Sequence, residues 1–163
     1  MRISSKVLLA IVVVAVVALL VISHRSAPPS DQAQIAAQTA SALAAANRHN
    51  VYGVMGIISA NYHDENGYTN DFVHTLLIRA MRGAPTERVT LSGQEISVQG
   101  DTASSQGYLD IQDAQSGRTL YSQEITLQWQ KEPARSFIVF PTHVWRIVSA
   151  SYGSIGADTE IGI

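Results

Sequence analysis

The N-terminal region contains a continuous apolar run that constrains the chain more than any other feature. The run extends from Val7 to Ile22, with Lys6 before it and Arg25 shortly after it. As a helix it would be roughly 24 Å long at about 1.5 Å per residue, slightly less than the thickness of a bilayer core. No polar stripe interrupts the run, which argues against a core helix of a globular domain. The sequence therefore predicts a transmembrane helix at residues 7–22.

The predicted membrane segment has two interpretations. Residues 1–25 form either an uncleaved anchor or a cleaved signal peptide, whose apolar region is typically about 7 to 15 residues long. We favour the anchor because the run is long and because Val21-Ile22-Ser23 is a poor cleavage site. Positive charge before the run places the N-terminus in the cytoplasm. The predicted location is the inner membrane, single-pass, with the C-terminal domain in the periplasm; a secreted periplasmic protein is the alternative.

The composition of the remaining chain narrows the classes of function. From Asp31 onward there are eight basic and thirteen acidic residues, a net charge of −5. Such a domain is a poor candidate for binding nucleic acid. Cysteine is absent, which excludes disulfides, thiolate metal sites and a thiol nucleophile. The histidines show no i, i+4 pair, and no phosphate-binding or dinucleotide-binding glycine pattern occurs. We therefore expect no metal and no cofactor.

The first half of the soluble part reads as helical. After a Pro/Ser linker at residues 26–30, a helix is predicted from Asp31 to about Asn47, with a shallow alanine-rich face. A second helix begins near Asn50, and its apolar stripe continues to Ile58, with Tyr62 next on it. The third helix is capped by Thr69 and ends at Gly83. Its predicted buried stripe consists of Val73, Leu76, Leu77, Ala80 and Met81.

The second half reads as strands joined by tight turns, which indicates an antiparallel meander. In the first strand the apolar parity changes at Gly93, so we expect a bulge there. The domain, residues 31–152, is therefore α+β, with three helices on a curved antiparallel sheet of about four strands. A flexible tail is expected at residues 153–163. The last strand is predicted to place Trp145 and Ile147 on one face and Val144, Val148 and Tyr152 on the other.

Two stretches carry a family resemblance. The succession from Val54 to Gly67, with the sequence VMGIISANYHDENG, resembles a helix exit in the nuclear transport factor 2-like (SnoaL-like, cystatin-like) superfamily. LQWQKE at 127–132 and VWRIVSASY at 144–152 are similar to that family's last hairpin. The resemblance implies a cone-shaped sheet with a pocket at its open end. The sequence departs from the family in a shortened connection at residues 63–69 and an insertion at about 133–141.

Tyr62, His63, Asp64 and Glu65 form the densest group of candidate catalytic side chains. The resemblance implies that such pockets can use a carboxylate and a tyrosine for proton transfer, so Tyr62 and Asp64 are the catalytic candidates. General acid–base catalysis needs these groups to converge on a substrate in a partly dry cleft. Adjacent residues in a tight turn often point apart, and Asp64 is also a natural turn residue. We favour the structural interpretation, in which Tyr62 packs in the core.

Several large apolar side chains are candidates for binding a ligand or a partner. Trp129 and Trp145 belong either to the core or to a ligand shelf. Phe137 and Phe140 in the insertion would form an apolar patch if exposed, suited to a homodimer or an envelope protein. The leading hypothesis is a membrane-tethered, non-catalytic module that binds a partner or an unknown small molecule, with Tyr62 among the contacts. The alternative is an isomerase- or hydratase-like enzyme that uses Asp64 and Tyr62.

Overall fold

The computed structural model describes residues 29–83, 86–134 and 142–152, which form three helices followed by four strands. The sheet is an antiparallel meander in the order β1-β2-β3-β4. The predicted α+β class and the order of its elements are confirmed. The elements are α1 Asp31–Ala46, α2 Val51–Met55, α3 Asn70–Gly83, β1 Glu87–Gln99, β2 Thr102–Asp113, β3 Thr119–Ala134 and β4 Thr142–Tyr152.

Part of the sequence prediction lies outside the described residues. This applies to the membrane segment at 7–22, most of the linker, Phe137, Phe140 and the tail at 153–163. Among the described residues, no helix has both the length and the apolar character needed to cross a bilayer.

The helix α1 lies against the sheet through small and β-branched side chains. Ile35, Thr39, Ala42 and Ala45 are its buried residues, in agreement with the predicted shallow face. At its N-terminus the Asp31 carboxylate accepts hydrogen bonds from Trp145 Nε1 at 3.0 Å and from Lys131 Nζ at 3.1 Å. These two bonds hold the pKa of Asp31 below its usual range and fix the first turn of α1 to the sheet.

The helix α2 is shorter than predicted. Asn50 caps it as expected, accepting a hydrogen bond from Gly53 N at 3.1 Å, but the helix ends at Met55 rather than continuing to Ile58. The residues that follow bond instead to the outer edge of β4. Ser59 N donates to Ile147 O at 2.9 Å, and Ile147 N donates to Ile57 O at 2.8 Å. Strand pairing with a distant edge replaces the local helical bonds and covers that edge.

The helix α3 contains no fully buried side chain. The predicted stripe is only partly correct, because Val73, Leu77 and Met81 are half-buried whereas Leu76 is 38% exposed. The reason is that α3 lies over a cavity rather than over a filled core. Its inward residues Leu77, Ala80 and Met81 line that cavity.

The pairing of β1 with β2 confirms the predicted bulge at Gly93. The register shifts between Ser92 and Glu95, and Gly93 has φ +61°. A second bulge in β4 was not predicted. Consecutive β3 residues Gln128 and Trp129 pair with Ser149 and Ile147, so Val148 is the extra residue. The extra residue reverses the parity of the strand, and Tyr152, paired with Ile125, lies on the same face as Trp145. The prediction that Tyr152 lies on the opposite face is wrong.

The core occupies one end of the inner sheet face. Trp145 and Ile35 are 0% exposed and Trp129 is 1% exposed. The Trp129 indole N–H donates to Ser105 Oγ at 2.8 Å, so its buried donor is satisfied. Ala103 leaves room for these rings on β2.

Gly93 provides a test of the bulge. Gly93→Ala should lower the free energy of unfolding by about 1–2 kcal/mol, because a side chain is strained at positive φ. Gly83→Ala is the control: it lies at the end of α3, has no atom within 4 Å of an added Cβ, and should be neutral or slightly stabilising. Urea unfolding followed by tryptophan fluorescence measures both. Equal losses in the two variants would contradict the bulge assignment.

Candidate functional site

A cavity of about 350 Å³ lies between α1, α3 and the inner face of the sheet. Small residues of α1 leave this space, and the first strands provide branched aliphatic side chains along its opposite wall. Thr39, His49 and Glu87 are the polar residues among its described lining. The apolar lining consists of Ala42, Leu43, Ala46, Val54, Ile57, Leu77, Ala80, Met81, Val89, Leu91, Leu109, Ile111, Ile125 and Leu127.

The described lining of the cavity contains few polar groups. The Thr39 hydroxyl donates to Ile35 O at 2.9 Å and accepts from Gln94 Nε2 at 3.2 Å, so it is engaged within the protein. His49 and Glu87 are the other two polar side chains of the described lining. His49 follows the C-terminus of α1 with φ 55°, an uncommon conformation for a residue other than glycine. Neither residue was identified as a candidate from the sequence.

Asp64 and Tyr62 lie together, as the acid–base hypothesis requires. Asp64 is 3% exposed, and its Oδ2 accepts from Tyr62 OH at 3.1 Å and from Tyr152 OH at 3.3 Å. Its Oδ1 accepts from the backbone N–H groups of Asn66 and Tyr68, both at 2.9 Å. The carboxylate therefore receives four hydrogen bonds. These bonds close the connection between α2 and α3 and join it to the end of β4.

The two phenols that contact Asp64 are weaker acids than an exposed tyrosine. Burial, reinforced by the negative charge of Asp64, raises the pKa of Tyr62 well above its ordinary value. The same causes raise the pKa of Tyr152. General acid–base catalysis at neutral pH favours groups whose pKa lies close to 7. The environment moves these hydroxyls away from that value, which suits a structural brace.

The Asp64 cluster and the cavity are separate features. Tyr62, Asp64 and Tyr152 are all described, and none of them lines the cavity. The arrangement that the enzyme hypothesis needs, a carboxylate and a hydroxyl facing a substrate space, is therefore not formed there.

The other predicted binding residues are placed as follows. Trp129 and Trp145 are in the core and do not line the cavity, so their position favours the core interpretation over the ligand shelf. Phe137 and Phe140 lie outside the described residues, and their contact with a partner stays a prediction. Within residues 29–83, 86–134 and 142–152, no three histidine or acidic side chains are grouped so that they could hold a metal ion.

Titration of the tyrosines tests the brace. A phenol whose pKa is raised by folding contributes stability fully below its unfolded pKa, near 10.0, and loses that contribution as the pH rises toward the folded value. The free energy of unfolding should therefore fall above pH 10. Tyr62→Phe should cost about 1 kcal/mol at neutral pH and make the alkaline fall shallower.

Tyr121→Phe is the matched control, because Tyr121 is exposed and its hydroxyl does not bond to Asp64. It should retain the wild-type alkaline slope. An unchanged slope in Tyr62→Phe would contradict a raised pKa at that residue.

Neither a known family model nor a curated protein matches this sequence. Solved structures do match it. A Nostoc punctiforme protein of unknown function with a cystatin-like fold has 12% identity and a TM-score of 0.62, over 77% of this chain and 91% of its own. A Novosphingobium aromaticivorans NTF2-like protein has 15% identity and a TM-score of 0.63, over 90% of both chains. A proposed ketosteroid isomerase of Shewanella frigidimarina has 18% identity and a TM-score of 0.54, over 71% and 91%. The chain has the cystatin-like, NTF2-like fold.

Proposed function

We propose that this domain binds a small, largely apolar molecule in the cavity without transforming it chemically. The observation that carries the proposal is the composition of the lining, in which nearly all the side chains are aliphatic. A volume of about 350 Å³ is within the range of small-molecule sites. Burial of the apolar cavity surface by an apolar ligand favours binding, by about 25 cal/mol per Å² of surface removed from water.

The placement of polar groups supports binding over catalysis. Only three polar side chains belong to the described lining, Thr39, His49 and Glu87, and Thr39 is hydrogen-bonded within the protein. The acid–base alternative would use Tyr62 and Asp64, which are hydrogen-bonded to each other at 3.1 Å. Their separation from the cavity and the raised pKa of Tyr62 both weigh against it. For this reason we place the enzyme hypothesis second.

Blocking the cavity tests the proposal. Ala42 is buried on the cavity side of α1, so Ala42→Phe should fill the space. Octanol should stabilise the wild-type full-length protein, by about 2.7 kcal/mol when free octanol is about 100 times its Kd, and should not stabilise the variant. The protein's two tryptophans both lie in the core, so their fluorescence reports thermal unfolding of this domain in the purified full-length protein.

Ala40→Phe serves as the control, since Ala40 is on the exposed side of the same helix. It should keep the wild-type response to octanol. Ala42→Phe alone should not lower the melting temperature, because the added ring occupies space that is empty. Equal stabilisation of wild type and Ala42→Phe by octanol would overturn the proposal.

We also propose that the domain is tethered to the inner membrane by residues 7–22, faces the periplasm and contacts a second copy or an envelope protein through Phe137 and Phe140. The apolar run and the charges beside it support the tether.

Two experiments test this proposal. The full-length protein should remain in membranes washed with alkaline carbonate, and crosslinking should trap a dimer or a complex. The double substitution Phe137→Asp, Phe140→Asp should abolish the crosslink, and Leu120→Asp, at an exposed apolar residue of β3, should not. Release of the protein by carbonate would contradict the tether. An unchanged crosslink in the double variant would contradict the contact through Phe137 and Phe140.

A further inference from the structure

A second concave surface lies next to the cavity, between α2 and α3. This outer groove has a volume of about 320 Å³. Its polar lining consists of His49, Tyr52, His74 and Arg82, and Val51, Ile78 and Met81 complete it. Tyr52 is 82% exposed, and its ring centroid lies 6.1 Å from that of His74. Tyr52 therefore presents an aromatic surface at the groove.

The outer groove and the cavity share two lining residues, His49 and Met81. These side chains therefore form the boundary between the two spaces. Met81 has an unbranched side chain with three rotatable bonds, so it can change conformation without moving the helix. A change in the conformation of Met81 would connect the two spaces.

The two spaces differ in charge. None of the described residues that line the outer groove is acidic, and Arg82 gives it a permanent positive charge. Guanidinium, imidazole and phenol groups all present hydrogen-bond donors there, and guanidinium pairs with carboxylates in a bidentate geometry. The cavity contains the opposite charge, Glu87, which does not line the groove. A negative group on a ligand is repelled by Glu87 and attracted by Arg82.

We propose that the outer groove binds a carboxylate group of the same molecule whose apolar body occupies the cavity. The ligand is then an amphipathic monocarboxylate, with its chain or ring under α3 and its carboxylate near Arg82 and His74. This inference depends on the proposed function, because the cavity must accept the apolar part. It adds the chemical class of the ligand and its orientation.

Matched ligands and matched arginines test the assignment. Octanoate and octanol share an apolar chain and differ in charge, and their apparent affinities follow from the shift in melting temperature against ligand concentration. Arg82→Gln should weaken octanoate binding by about tenfold and leave octanol binding unchanged, since a hydrogen-bonded charge partner is lost only for the acid. Glu87→Gln should strengthen octanoate binding, because it removes the negative charge that repels the carboxylate.

Arg79→Gln is the control for overall charge. Arg79 is exposed on α3, one turn before Arg82, and lines neither space. It should leave octanoate affinity within about twofold of the wild type, because an exposed charge that does not contact the carboxylate acts on it through water, where charges interact weakly. His74→Gln should weaken octanoate binding less than Arg82→Gln, because glutamine keeps an N–H donor at position 74, whereas Arg82→Gln removes a permanent charge and a bidentate pair.

The outcomes separate the two proposals. Octanol and octanoate binding with equal affinity, with no effect of Arg82→Gln, would overturn the carboxylate site and leave the apolar cavity standing. Equal losses in Arg79→Gln and Arg82→Gln would assign the effect to net charge and would also overturn it. Binding of neither molecule would overturn both the cavity function and this inference.

Discussion

The Asp64 carboxylate, buried and bonded to the hydroxyls of Tyr62 and Tyr152 and to two backbone N–H groups, joins parts of the chain that are distant in sequence. A buried charge without such donors would cost far more than the protein's net stability permits. With four donors the cost is compensated, and the position of each donor is fixed in return. The connection between α2 and α3 is therefore held against the end of β4 rather than left as a mobile loop.

This fixed connection determines what surrounds the cavity. The backbone of residues 57–63 pairs with β4, which ends α2 early and covers the edge of the sheet. Asn70 Nδ2 also donates to Ser59 O at 2.8 Å, which attaches the first turn of α3 to the same segment. With its start held in this way, α3 extends across the open end of the inner sheet face. It covers the cavity without filling it, and its own side chains remain partly exposed.

Local features of the fold could be predicted from the sequence, and features that depend on distant pairing could not. The cap at Asn50 and the bulge at Gly93 rest on the chemistry of one residue and its neighbours, and both are confirmed. The bulge at Val148 has no glycine to mark it, so the face on which Tyr152 lies became known only from the pairing with β3. The end of α2 at Met55 likewise depends on bonds to Ile147, which no local pattern reveals.

The same reasoning explains why the sequence drew attention to residues other than those that line the cavity. Aromatic and acidic groups attract attention in a sequence, yet Tyr62 and Asp64 are hydrogen-bonded to each other. Trp129 and Trp145 fill the core at the end of the sheet nearest the start of α1. The cavity arises at the opposite end, where α1 changes from Ile35 to small alanines and the strands supply, apart from Glu87, aliphatic side chains. The absence of bulk on one helix, facing branched side chains on a sheet, is a weak sequence signal because alanine is also a strong helix former. Whether an alanine-rich helix face leaves a cavity depends on the side chains that face it. Here the strand side chains facing α1 do not reach far enough to fill the space. The large rings at one end hold α1 against the sheet, so the cavity at the other end does not collapse.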